Sequence, residues 1–108
     1  MIQLSINLNK IALIRNARDT RHPDPSEFAA DVIRAGAHGV TVHPRPDQRH
    51  IRASDCLDLK QAIHGRVEFN IEGNPLAPAT ASDREDVTDY PGFLELVTQC
   101  LPEQCTLV

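Results

Sequence analysis

Aromatic side chains are scarce in this chain: 4% of 108 residues, with one Tyr, three Phe and no Trp. A base-stacking nucleic-acid platform needs exposed rings, so that class is excluded. Surplus basic charge is also missing, since the net charge is −4, and a general polyanion binder is excluded with it. No apolar run reaches the length of a membrane span. No basic flank followed by an apolar core opens the chain, so a secretory leader is not expected and a cytoplasmic protein is. Cysteines are few and odd in number, Cys56, Cys100 and Cys105. They read as free buried thiols of a reducing compartment rather than as a disulfide. Cys100 and Cys105 are spaced too loosely for a CxxC zinc knuckle.

What is present is ordinary in amount and ordered in pattern. Hydrophobic residues make up 41% and charged residues 24%, within the range of a globular domain. Ile2, Leu4, Ile6 and Leu8 alternate with Gln3, Ser5, Asn7 and Asn9, which predicts a strand over Ile2–Asn9. A short helical turn follows over Ile11–Arg15. Asp24-Pro25-Ser26 supplies a helix start, and Phe28, Ala29, Val32 and Ile33 form a stripe ending at Gly36. Gly39–His43 is the second strand. Ser54 reads as an N-cap for a second helix over Leu57, Leu59, Ala62 and Ile63, ending near Gly65. Arg66–Glu72 is the third strand. A Pro- and Ala-rich loop, Gly73–Ser82, and an acidic segment, Asp83–Asp89, lead to a third helix with Pro91 in its first turn. Phe93, Leu94, Val97, Cys100 and Leu101 give that helix its apolar face. A fourth strand begins near Gln104.

The order βαβαβαβ predicts a parallel sheet with right-handed crossovers. Strands covered on both faces read as continuous apolar runs. These have one apolar face, with Ile6 and Leu8, Val40 and Val42, Phe69 and Ile71. The other face is polar, with Asn7 and Asn9, Thr41 and His43, Asn70 and Glu72. The strongest chemistry falls at each carboxyl end, as the inner mouth of a (β/α)₈ barrel requires. A half-solvated sheet face is the alternative, but it does not explain that sharpening. Cys105-Thr-Leu-Val108 looks like the first half of a buried strand, so residues 1–108 are expected to be the front portion of a larger barrel.

The densest chemistry lies in Val40–Arg52. Pro44 and Pro46 stop the strand, because neither donates a ladder hydrogen bond. His43, Arg45, Arg49, His50 and Arg52 are thereby gathered at one strand end. Imidazoles transfer protons near neutrality, and guanidiniums anchor phosphate or carboxylate. His43 could be a capping histidine and Glu72 a solvated carboxylate before a turn. Their matching places on neighbouring strands favour a general acid–base pair instead. Arg45 and His50, clustered after His43, favour anion binding. Asn7, Asn9 and Lys10 close the first strand with a weaker signal. One of Arg15 and Arg18 is expected to reach back as a phosphate ligand, and spacing does not choose between them. His22, His38 and His64 take no role. His43, His50 and Glu72 could form a metal triad, but Arg45, Arg49 and Arg52 would repel a cation, so no metal is assigned.

Three blocks of residues now resemble a known family in order and spacing. They are Asn7-x-Asn-Lys-Ile-Ala-x-x-Arg-Asn-Ala-Arg18, Ala35-Gly-Ala-x-Gly-Val-Thr-Val-His-Pro-Arg-Pro-Asp-x-Arg-His-Ile-Arg52 and Phe69-Asn-Ile-Glu-Gly-Asn74. The chain is similar in them to the pyridoxine 5′-phosphate synthase family. The resemblance implies a (β/α)₈ barrel enzyme of vitamin B6 synthesis that condenses 3-amino-1-hydroxyacetone 1-phosphate with 1-deoxy-D-xylulose 5-phosphate. It implies no metal or organic cofactor, small phosphorylated substrates, and assembly into homo-oligomers. His43 and Glu72 match its acid–base residues; Asn7, Asn9, Lys10, Arg18, Arg45 and His50 match its substrate ligands. The resemblance thus selects Arg18 over Arg15. Asn9-Lys10 stands where many members carry Asp-His. Pro75 to Tyr90 looks like an insertion. The family's second catalytic histidine, phosphate-gripping glycines and ligand threonine lie beyond the fourth strand, so the chain alone is expected to be inactive. A non-catalytic, phosphate-binding or self-assembling half-barrel is the alternative.

Overall fold

The computed structural model describes all 108 residues. Its elements are β1 (Ser5–Asn7), α1 (Asn9–Arg18), α2 (Pro25–Arg34), β2 (Gly39–Val42), α3 (Ala53–Ile63), β3 (Glu68–Gly73), α4 (Phe93–Cys100) and β4 (Gln104–Leu107). The strands form one parallel sheet in the order β1-β2-β3-β4. The mixed α/β class and the parallel sheet match the sequence pattern, with one helix more than expected between β1 and β2. No helix is long and apolar enough to cross a membrane.

The opening strand is the largest correction. It spans Ser5–Asn7 rather than Ile2–Asn9, because pairing with β2 begins at Ser5 and leaves Ile2 and Leu4 exposed. Asn7 Oδ1 accepts the Asn9 N–H at 2.8 Å, and Leu8 turns out of the extended region with φ −104° and ψ 7°. A full helix follows instead of a single turn, and Asp19 ends it in the left-handed region at φ 53°. Asn9 and Lys10 therefore open α1 rather than close β1.

Smaller shifts have equally local causes. Asp24 caps α2 by accepting the Ser26 N–H at 2.9 Å, with Pro25 at the first helical position, as expected. Helix α3 is capped at Arg52, so Ser54 lies inside the helix rather than at its cap. The Asp55 carboxylate accepts the Arg52 N–H at 2.8 Å, and Gln48 Oε1 accepts the Ala53 N–H at 2.9 Å. Helix α4 begins at Phe93, after Gly92 at φ 97°, so Pro91 lies outside its first turn. The Phe93 ring sits against Gly73, where an added Cβ would meet Cε1 at 2.2 Å. Strand β4 starts at Gln104 as expected, but it is an edge strand and exposed along most of its length. Cys105 is accordingly exposed, while Cys56 and Cys100 are free and buried.

The core is one cluster of 16 residues. Val40, Val42, Phe69 and Ile71 from the sheet pack against Ala29 of α2, Leu59 and Ile63 of α3, and Leu96 of α4. Each fully buried Leu, Ile or Phe contributes about 1.5–3 kcal/mol relative to exposure. The opposite sheet face is polar. There Ser5 Oγ meets Thr41 Oγ1 at 2.7 Å, Asn70 Nδ2 donates to Thr41 Oγ1 at 3.4 Å, and Thr106 Oγ1 donates to Asn70 Oδ1 at 3.0 Å. A hydrogen-bonded row thus crosses all four strands.

Candidate functional site

After Val42 the chain leaves the ladder at His43-Pro44 and stays irregular to Arg52. A loop this rich in charge needs outside support, and α1 supplies most of it. Asn9 Oδ1 accepts the His43 N–H at 2.8 Å. Asn16 Nδ2 donates to the Arg49 and His50 carbonyls, both at 2.9 Å. Asn9 and Asn16 are two turns apart, so both face the loop. Arg15 grips Asp55 with a two-point fork at 2.6 and 2.8 Å and reaches the His50 carbonyl at 3.3 Å. Arg15 and Asp55 are each only 7% exposed. Gln48, buried and in the left-handed region at φ 53°, donates to the Thr88 carbonyl at 2.8 Å and ties in the later loop.

His43, Arg45, His50 and Glu72 are brought together. The last β2–β3 pair is Val42↔Ile71, so His43 and Glu72 follow side by side. Both are half-buried. Partial burial and the neighbouring Arg45 hold the His43 imidazole below its ordinary pKa of 6.5, with the Glu72 carboxylate pulling the other way. His50 is also lowered, first by burial, then by His43 and Arg45; Arg49 adds to this and Asp47 opposes it. Both rings are therefore neutral at pH 7, the form that accepts a proton or donates a single N–H. Ile51 N–H donates to His50 Nδ1 at 2.8 Å.

A cleft of about 430 Å³ opens beside this group, lined by His43, Arg45, Asn74, Leu76 and Tyr90 among others. Arg45 is exposed and in no ion pair. The Tyr90 hydroxyl is buried without a partner, and burial and the nearby Cys56 push its pKa up to about 12. A second cleft of about 420 Å³ shares Pro46 and is lined by Asp47, Arg49, Arg52, Asp83 and Arg84. Its charges are largely matched within the chain. Arg49 meets Asp47 at 2.8 Å, and Arg84 meets Asp19 at 2.7 Å and Asp86 at 2.8 Å.

The remaining expected residues separate from that group. Asn7 and Asn9 each have the side-chain carbonyl engaged by a backbone N–H. Lys10 is exposed on the first turn of α1. Arg18 is exposed on the last turn, roughly 12 Å further along the axis. Arg15 is taken up by Asp55 and is not a free anion ligand. No three His, Cys, Asp or Glu side chains converge as a metal site. Asn16, Gln48 and Asp55 escaped the sequence reading. Asp55 carried a signal, an acidic residue three positions after the helix cap; Gln48 carried none.

The family model described as pyridoxal phosphate biosynthesis protein PdxJ matches residues 4–108. The chain is 56% identical over 108 residues to a pyridoxine 5'-phosphate synthase of Xanthomonas oryzae pv. oryzae (strain MAFF 311018), covering 99% of this chain and 40% of that protein. The same name belongs to relatives in Xanthomonas axonopodis pv. citri (strain 306) and Flavobacterium johnsoniae. They are 56% identical over 98% of the chain and 46% identical over 100% of it, with 39% of each relative covered. The chain thus spans about two-fifths of the length of these curated relatives.

Proposed function

The chain belongs to the PdxJ family of pyridoxal phosphate biosynthesis proteins, and on that premise we propose that it carries one half of a pyridoxine 5′-phosphate synthase active site. In this reading residues 1–108 are part of a (β/α)₈ barrel of about 250 residues. The sequential order β1-β2-β3-β4 and the single-sided core support it. The full reaction joins 3-amino-1-hydroxyacetone 1-phosphate to 1-deoxy-D-xylulose 5-phosphate and closes the pyridine ring.

His43, neutral at pH 7, takes a proton from the condensing substrate, and Glu72 beside it exchanges protons with the same centre. Arg45 and His50 hold substrate oxygens, Arg18 adds a guanidinium, and Asn7, Asn9 and Lys10 form the far corner. No metal or organic cofactor takes part. The observation that carries this reading is the meeting of His43 and Glu72 at adjoining strand ends, beside a cleft lined by an unpaired Arg45. The chain alone binds substrate without turning it over, because a second acid and a phosphate grip are needed to finish the reaction.

Calorimetric titration with 1-deoxy-D-xylulose 5-phosphate tests the binding half. Binding is expected, and no response at millimolar ligand would overturn it. Assay with both substrates tests the other half, and family-like product formation by 108 residues would refute it. A second reading, a self-assembling half-barrel of the cytoplasm, is favoured by the free outer edges of β1 and β4. Sedimentation is expected to find homo-oligomers; a folded monomer at micromolar concentration would argue against it.

A further inference from the structure

Asn16 makes no use of its position on α1 except to hold a loop. Its Nδ2 bonds two successive carbonyls, those of Arg49 and His50, at 2.9 Å each. Its Oδ1 in turn accepts Arg15 Nε at 3.0 Å, so the amide is oriented from both ends. Arg15 adds a bond to the same His50 carbonyl at 3.3 Å, and its own position is set by the buried fork to Asp55. The His50–Ile51 peptide is thus fixed on its carbonyl side. A fixed carbonyl fixes the N–H of the same peptide plane. That N–H belongs to Ile51 and points at His50 Nδ1, 2.8 Å away.

A neutral imidazole whose Nδ1 accepts a hydrogen bond carries its proton on Nε2. We propose that Asn16, backed by Arg15, is a positioning residue that holds His50 as an Nε2–H donor toward an anionic oxygen of the substrate. The titratable and charged groups around the ring are His43, Arg45, Asp47 and Arg49. Three of these disfavour a second proton, so the ring works as a directional donor and not as a point charge. This inference rests on the proposed anion-binding role of His50.

The test is the tautomer itself, read from two-bond proton–nitrogen spectra of the 108-residue chain labelled with nitrogen-15 at histidine, well above the imidazole titration range. His38 is an internal control, because its Nδ1 accepts the Leu4 N–H at 2.9 Å far from α1. In the native chain both rings are expected as the Nε2–H form. In Asn16→Ala the His50 ratio is expected to move roughly fivefold to tenfold toward Nδ1–H, the worth of about one hydrogen bond. His38 should stay unchanged. Asn16→Asp keeps the shape and removes the donor, so it should repeat the effect and serves if the alanine variant unfolds. A native His50 in the Nδ1–H form overturns the proposal, as does an unaltered His50 in both folded variants. The readout contains no substrate, so failure of the proposed function would appear in the calorimetric titration and leave this result standing.

Discussion

Two clefts of nearly equal size, about 430 and 420 Å³, lie on either side of Pro46, and they teach opposite lessons about charge. The second has the more arginine-rich wall, with Arg49, Arg52 and Arg84. Two of those guanidiniums are already matched to Asp47, Asp19 and Asp86. The third, Arg52, is in no ion pair but is half-buried, with its Nε enclosed and its charge opposed by Arg15 and Arg84. The first cleft has one arginine, and that arginine is unpaired beside two neutral imidazoles and a carboxylate. Anion capture depends on the charge left over, not on the charge present. A guanidinium must give up an existing partner before it takes a phosphate, and the exchange returns little.

The sharpest way to break this contrast is catalytic. In a longer chain that turns over, His43→Ala and Glu72→Gln are each expected to lower kcat by about 10²–10⁴-fold with little change in KM. Asp47→Asn, in the other cleft, should leave kcat near its starting value. Steady-state kinetics decides, and near-normal turnover in both proton-transfer variants would remove the first cleft's claim.

The next effect falls on the support of the loop that contributes residues to both clefts. Arg15→Ala leaves the Asp55 carboxylate buried without its partner, and loss of about 3–5 kcal/mol of stability is expected from urea denaturation. Loss below about 1 kcal/mol would mean that the loop stands without α1.

Binding separates the clefts directly. Arg45→Ala should weaken 1-deoxy-D-xylulose 5-phosphate by roughly tenfold or more, from one charge-assisted contact of about 1.5–3 kcal/mol. Arg84→Ala should change it less than about twofold. Equal losses in the two titrations would erase the distinction.

The smallest effect is on pH. His43 and His50 bind protons less readily folded than unfolded. Between the ordinary value of 6.5 and the lower folded values, the unfolded chain holds more protons. Stability from these rings is therefore complete above that window and falls as pH falls through it. Denaturation midpoints compared at neutral and mildly acidic pH should show this fall, and His50→Gln should reduce it.

Much of this was legible in the residues. The alternation that set Val40 and Val42 against Thr41 and His43 fixed which sheet face would be buried, and two prolines marked where β2 ends. The family resemblance passed over Arg15, and its burial against Asp55 supplies the reason. What was hidden was long-range. Ile2–Leu8 alternates like a strand, but a strand needs a neighbour at every position and β2 starts too late to provide one. Ser54 looked like a cap because serine often is one. The cap came from Gln48 and Asp55, whose approach depends on the fold of a loop that no periodicity describes. Asn9 matches a substrate ligand only through the family resemblance, and no periodicity foretells that its side-chain carbonyl accepts the His43 N–H.

The hydrogen-bonded row from Ser5 through Thr41 and Asn70 to Thr106 has a consequence for how the sheet finds its alignment. Parallel neighbours are joined by long crossovers, so no tight turn dictates which residue faces which. A strand displaced by one position could still form every backbone bond. It would, however, bring an aliphatic side chain such as Ile6, Val40 or Ile71 into the row. A hydroxyl or an amide on each side would then lose its partner. The row therefore acts as a proofreading gauge on alignment, and it rejects a one-residue slip that the backbone ladder alone tolerates.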